Sequence, residues 1–494
     1  MQMFECDKSN KRLSSCGDVA AKMLTTNSSS NSSASRSVVC RDKNVSGLAT
    51  LLWVLFFFVS VFYASFPKGL SLVFLCAIVV MIFLIQPSFG SKGLFKIKLN
   101  SFWCFLVALV GISFMLNAIL YIQISYFANA IIFCFVILFI CLMCGCENLE
   151  NVLYSMCKGF FIAFWLTVLG AFLFGPGYYA GVQYSAFIGN PNQFGLYLTS
   201  MVACTGFLLV RSIQNCTKNT IYIVTLFTVI IFSIMTGSRT TQLSILPQVV
   251  VIVFLSFRAI RSKAGNRGAG VVFRRFVKKF VLVGITACVL VFLLFTTVKY
   301  EFDAVLVDLG SSASISAVSP KTEQPDLLAS MRSRYTKGLQ NHNLNSFSSG
   351  RIGIWESFVP DIGIAGHATE TKPVISGSRN YSAIYAHNVY IQVAYSAGIV
   401  SGVAMVLIML VALKNMFEAI KIVSSSQISG FSCSFVALAA CSILGFFVYS
   451  LIGDGYMIFK YMPATMFWIC ASALNWRLTI YKKKCKDKCN TSAV

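Results

Sequence analysis

A chain of 494 residues that is 57% hydrophobic, only 12% charged and of mean hydropathy +0.75 cannot cover its surface with polar groups, which excludes a water-soluble globular protein. A net charge of +23 invites a nucleic-acid partner, but the cations flank apolar runs along the whole chain instead of forming one soluble patch. No nucleic-acid partner is therefore expected.

Residues 1–45 are rich in Ser, Asn and charge, with Asn27-Ser28-Ser29-Ser30-Asn31-Ser32-Ser33 at their centre, the composition of a disordered tail. The first apolar run starts near residue 47 without a clear cleavage site, so it is expected to anchor the chain and not to be removed. A helix needs about 20 apolar residues to cross the hydrocarbon of a bilayer. Runs of that kind fall at 47–66, 69–87, 102–122, 126–145, 155–175, 194–210, 219–235, 240–257, 279–297, 389–411, 429–452 and 456–475. The expected fold is thus an all-α polytopic membrane protein of about twelve spans. Nine spans occupy 46–297, a large external loop fills 298–387, three more spans occupy 388–476, and a basic tail covers 477–494. No internal repeat supports a transporter-like pseudo-symmetry.

Twelve spans place both termini on one side and allow each connection to be assigned a face. One face receives 29 of the 40 Lys and Arg residues, including Lys92, Lys96, Lys98, Arg211, the run from Arg258 to Lys279, Lys421 and the tail after Arg477. The other face holds Lys68, Arg239, Lys460 and eight cations of the long loop, where eight carboxylates balance them. Cytoplasmic connections are enriched in Lys and Arg, so the termini are expected in the cytoplasm. Cysteine usage agrees: none of the 18 lies between Cys288 and Cys433, the stretch that contains the external loop, whereas Cys6, Cys16, Cys40, Cys144, Cys146, Cys216, Cys485 and Cys489 lie on the reducing side. Cys144-Gly145-Cys146 has no accompanying His or second Cys pair, and the outer segments contain no Asp-x-Asp pair, so no metal is expected.

Four polar clusters interrupt the apolar background, and the assigned topology puts all four on the outer face. They are Gly189-Asn190-Pro191-Asn192-Gln193-Phe194-Gly195, Thr236-Gly237-Ser238-Arg239-Thr240-Thr241, Ser348-Ser349-Gly350-Arg351-Ile352-Gly353-Ile354-Trp355-Glu356 and Ala386-His387-Asn388-Val389-Tyr390-Ile391-Gln392. Asn190 before Pro191 also reads as a helix N-cap with proline in the first turn. Arg239 sits in a short connection without a carboxylate, on the face where cations are disfavoured; an arginine reaching for the interface and an anion-binding arginine both fit.

The Gly-Ser-Arg-Thr turn, the Ser-Gly-Arg segment followed by Trp355, and the His-Asn-x-Tyr-x-Gln helix start, in this order around a long loop, resemble the O-antigen ligase and polymerase superfamily. The resemblance is strongest from about 189 to 402. Many members carry a glutamate two residues before the glycine of the tenth span, where this chain has Ser396. The resemblance implies transfer of a glycan from an undecaprenyl-diphosphate carrier to an acceptor hydroxyl at the periplasmic face of a bacterial inner membrane. The acceptor would be lipid A core for a ligase, or another lipid-linked glycan for a polymerase.

Such a transfer has no nucleotide to drive it, and the chain has no phosphate-binding Gly-x-x-x-x-Gly-Lys loop. The donor's own sugar–diphosphate bond must supply the energy. The chemistry then needs a group that holds the departing diphosphate and one that takes the acceptor's proton. Arg239 and Arg351 are the expected diphosphate ligands, because a guanidinium grips phosphate oxygens in pairs and keeps its charge. His387 is the expected base. Asn190, Asn192, Ser238, Asn388 and Tyr390 are candidates to line the substrate, with Tyr390 and Gln392 on different sides of their helix. No cofactor is expected. The rival class is a secondary transporter or lipid flippase, which would place charge midway through its spans; here the spans are nearly free of it.

Overall fold

The computed structural model describes residues 47–59, 78, 100–124, 126–127, 130–131, 133–134, 137, 140, 144, 149–174, 178–179, 183–186, 190–312, 350–369, 371–376, 380–425, 431–452 and 462–491. The N-terminal tail, the second span apart from Ile78, much of the fourth, Gly189 and the part of the loop with His342 lie outside these residues.

The described chain is helical, with two short antiparallel hairpins. In order it forms α1 (Gly47–Val59), α2 (Ser101–Leu120), α3 (Leu149–Phe174), a hairpin of β1 (Tyr178–Tyr179) and β2 (Gln183–Tyr184), α4 (Pro191–Gln214), α5 (Thr220–Met235) and α6 (Arg239–Ser312). Then come α7 (Arg351–Phe358), a hairpin of β3 (Lys372–Ser376) and β4 (Asn380–Ile384), α8 (Val389–Ala397), α9 (Ile399–Ser424), α10 (Cys433–Ile452) and α11 (Met462–Thr491). Among the described residues, seven helical stretches are long and apolar enough to cross a membrane, and α1 and α5 are shorter apolar helices at predicted spans. The chain is a membrane protein of the helical-bundle kind.

Burial orders the bundle from inside to outside. Of the apolar window in α4, 89% is buried, against 11% in Gly268–Leu294, so α4 is central and that arm of α6 is peripheral. The peripheral arm exposes Leu282, Ile285, Leu290 and Leu293, side chains that lipid covers without cost. Inside the bundle, hydroxyls return to their own helix: Thr199, Thr225 and Thr228 donate to the carbonyls of Gly195, Ile221 and Val224. That arrangement satisfies polar groups where no water reaches.

Two predicted boundaries are corrected. The basic run 258–278, expected as a loop between two spans, is helical throughout, inside the 74 residues of α6. The helix nevertheless doubles back. Phe257 and Phe273 would stand about 24 Å apart along a straight helix, yet their ring centroids are 4.6 Å apart. On either side of the reversal, Lys263 reaches Cys216 Sγ and Lys279 reaches Asn219 Oδ1. Gly265, Gly268 and Gly270 fall within this stretch and loosen its helix.

The predicted tenth span, 389–411, is two helices broken at Gly398. There φ is +97°, and a Cβ would lie 2.0 Å from the Ile364 carbonyl oxygen. Residues 363–369 of the loop form a strap that fills the break. His367 N donates to the Tyr395 carbonyl, Ala368 N to that of Ser396, and Ile399 N to that of Gly363. Ser396 Oγ donates to the Thr369 carbonyl at 2.8 Å, and Asn117 Nδ2 to that of Ala397 at 3.0 Å. The last carbonyls of α8, orphaned by the break, are thereby satisfied.

The two ends of the bundle keep separate company. At one, Arg477 pairs with Glu150 at 2.9 Å, Arg211 lies over the Tyr154 ring, Ser434 N donates to Gln214, and Arg258 donates to the Val423 and Ser424 carbonyls. These residues come from the connections assigned to one face by the sequence. The polar clusters assigned to the other face meet at the opposite end.

Candidate functional site

The last turn of α10 joins the clusters. Tyr449 Oη donates to the Asn192 carbonyl at 2.9 Å, and Ser450 Oγ donates to Tyr390 Oη at 2.8 Å. The Leu451 carbonyl accepts from Asn388 Nδ2 at 3.0 Å, and that of Ile452 from Thr240 Oγ1 at 3.3 Å. Four consecutive residues thus hold three segments that lie up to about 200 positions apart in the chain. Two of these bonds also satisfy C-terminal helix carbonyls that have no partner within α10.

The second cluster opens α6. Thr236 Oγ1 accepts from Ser238 N, and buried Ser238 Oγ accepts from Thr241 Oγ1 at 2.9 Å. This turn puts half-buried Arg239 at the first position of α6. Gly195 of α4 packs directly on Thr241, where a Cβ would come within 1.9 Å of the hydroxyl, so the first cluster abuts the second. Asn190 caps α4, its Oδ1 accepting from Asn192 N and Gln193 N.

The third cluster is brought in by α7. Arg351 Nη1 donates to Thr240 Oγ1 at 3.0 Å, placing the second guanidinium beside the start of α6. Burial lowers the pKa of Arg351, and the charge of Arg239 lowers it further, while Tyr449 opposes both. Arg239 is therefore close enough to act on Arg351. Among the described residues, no carboxylate is one of the charges acting on Arg351. Glu356, in the same short helix, is exposed.

His387 occupies a left-handed backbone conformation, φ +50°, which costs a non-glycine residue about 1–2 kcal/mol. Its neighbours enforce it. Ala386 N donates to Gln392 Oε1 and the Ala386 carbonyl accepts from Trp355 Nε1, both at 2.8 Å. Asn388, next in the chain, caps α8 through Tyr390 N and Ile391 N and is tied to α10 through Nδ2. His387 itself is half-buried, and its pKa is lowered to about 4, first by burial and then by the nearby Arg351 charge.

The structure therefore brings Arg239, Arg351 and His387 together at one end of the bundle. Asn190 and Asn388 act as helix caps, Ser238 closes the turn before Arg239, and Tyr390 meets α10. Asn192 is half-buried, and its backbone carbonyl takes the bond from Tyr449. His367 is engaged elsewhere: Nε2 meets the Asp361 carbonyl at 2.6 Å, and the ring stacks on Tyr395 at 4.4 Å. Sequence reasoning missed Thr240 as the hydrogen-bond partner of Arg351, Tyr449 as a group that acts on it, and Gln392 as the partner of Ala386 N, next to His387. Nothing about a Thr, Tyr or Gln at a helix end marks such a role before tertiary contacts are known. Among the described residues, no group of three His, Cys, Asp or Glu is arranged to hold a metal ion.

Comparisons with protein-family models, curated proteins and solved structures found no match to this chain.

Proposed function

We propose that the protein is a membrane glycosyltransferase that moves a glycan from an undecaprenyl-diphosphate carrier to an acceptor hydroxyl, without a metal and with inversion at the anomeric carbon. The observation that carries this reading is the half-buried arginine pair, Arg239 and Arg351, beside a neutral histidine. Two guanidiniums held close together repel, and a diphosphate between them relieves the repulsion by hydrogen bonds to both. In the transfer, the acceptor oxygen forms a bond to the anomeric carbon as the bond from that carbon to the diphosphate oxygen breaks. The leaving electron pair stays on the diphosphate, held by the arginines, and the acceptor's proton passes to His387.

The preferred form is an O-antigen ligase acting on lipid A core, with a repeat-unit polymerase as the alternative. The accompanying topology has about twelve spans, cytoplasmic termini and the site at the periplasmic face of a bacterial inner membrane. A reporter after residue 270 is then cytoplasmic, and one inserted near residue 340 is external. Both on one side would overturn that topology.

The direct test is reconstitution of the full chain with a polyprenyl-diphosphate glycan and either lipid A core or a second lipid-linked glycan. Covalent transfer to one of them supports the reading and separates ligase from polymerase. Movement of the intact donor across the bilayer without transfer would instead support a flippase.

A further inference from the structure

We propose that the donor's diphosphate, by binding at Arg239 and Arg351, itself makes His387 a competent base, so that the donor must bind before the acceptor's proton can be taken. This rests on the glycosyltransferase reading above and adds to it an order of events.

The geometry couples the two functions mechanically. Arg351 opens α7, and Trp355 of the same short helix bonds the carbonyl of Ala386, the residue before His387. Arg351 is bonded to Thr240, the residue after Arg239. The backbone of the histidine is held in its left-handed conformation between bonds at Ala386 and Asn388. Among the described residues, the charge that acts on the imidazole is that of Arg351 from α7, and Arg239 from α6 acts in turn on Arg351. Both are positive.

Burial and Arg351 hold the imidazole neutral down to about pH 4. A base that weak accepts a proton poorly at neutral pH, because the ideal catalytic pKa lies near the working pH. A bound diphosphate brings negative charge against both guanidiniums. It cancels the field that disfavours the imidazolium, and opposite charge within a few ångströms favours the protonated form. The affinity of His387 for a proton therefore rises when the donor is seated. When transfer is complete and the diphosphate leaves, the repulsion returns and expels the proton, which resets the site.

The test follows the ring resonances of His387 through a pH titration of the full chain in lipid nanodiscs, with the three histidines assigned by single substitutions. Inorganic pyrophosphate serves as the probe, and its binding is measured separately by calorimetry. The expected result is an upward shift of at least one pH unit in the His387 titration at saturating pyrophosphate, with His367 unmoved. Arg351→Gln should raise the His387 titration in the absence of pyrophosphate and remove most of the response to it. Pyrophosphate that binds while the His387 titration stays in place would overturn the coupling and leave the diphosphate site standing. An Arg351→Gln protein with an unchanged His387 titration would overturn it as well. Failure of pyrophosphate to bind at all would overturn both the coupling and the diphosphate reading.

Discussion

The cations at the two ends of this bundle lead different lives. At one end Arg477 sits against Glu150 and over the Phe435 ring, Lys482 pairs with Glu418, and Arg211 covers Tyr154. These charges are compensated within the chain, and their role is to hold helix ends together at the polar boundary. At the other end half-buried Arg351 rests against a hydroxyl, Thr240, with a second guanidinium as its charged neighbour. Burying like charges close together is unfavourable by itself, and on the proposed reading a bound diphosphate offsets it. On that reading the contrast separates structural arginines from donor-binding ones.

The largest expected effects fall on the end that holds Arg239 and Arg351. Changing Arg239 and Arg351 together to alanine is expected to abolish glycan transfer while the protein remains inserted, and each single change should cost about 10²–10³-fold. Arg239→Lys should restore only part of the rate, since an ammonium cannot reproduce the paired bonds of the fork. Transfer assays on purified variants decide this, and a fully active Arg239→Ala would make that residue an interfacial anchor.

His387→Ala should slow transfer by about 10²–10⁴-fold with donor binding nearly unchanged. A variant that lost donor binding would move His387 from proton transfer to the diphosphate pocket. A near-normal rate would leave it without a chemical role.

A smaller effect is expected at the brace. Trp355→Phe keeps the ring but removes the bond to the Ala386 carbonyl, worth about 0.5–1.5 kcal/mol. Transfer should fall by roughly threefold to tenfold through kcat, with the apparent affinity for donor little altered. An equal loss in donor affinity would show that Trp355 orders α7 as a whole.

The smallest effect on catalysis belongs to the compensated end. Arg477→Gln should lower thermal stability by about 1 kcal/mol, as expected for a partly exposed pair, and leave the rate per folded molecule unchanged. A specific loss of transfer would break the division between the two ends.

Much of this division is legible in the sequence. Apolar runs mark the spans because hydropathy averages over length, and Asn190 and Asn388 announce helix starts through their side-chain chemistry. The four clusters stand out because polar residues are scarce around them. The reversal within α6 is legible as two apolar runs, but the helical state of its basic connection is not, because Arg, Lys and Ala read equally well as helix or as basic loop. Nor is the break at Gly398, which a hydropathy window smooths into one apolar run. Ser450, Leu451 and Ile452 escape notice for another reason: two of them act through backbone carbonyls, which every residue possesses.

The strap at 363–369 also bears on how the chain is made. Synthesis proceeds from the N-terminus, so the strap emerges before the Tyr395–Ile399 backbone it will bond. It therefore waits at the membrane surface for a helix pair still inside the ribosome, and the gap at Gly398 closes around a partner already delivered. A rearranged gene that translates α8 and α9 before the strap would reverse this order. The pair would then have to hold a bare carbonyl cluster open in lipid until its filling arrived, which is the condition under which two half-helices fuse into one or misassemble.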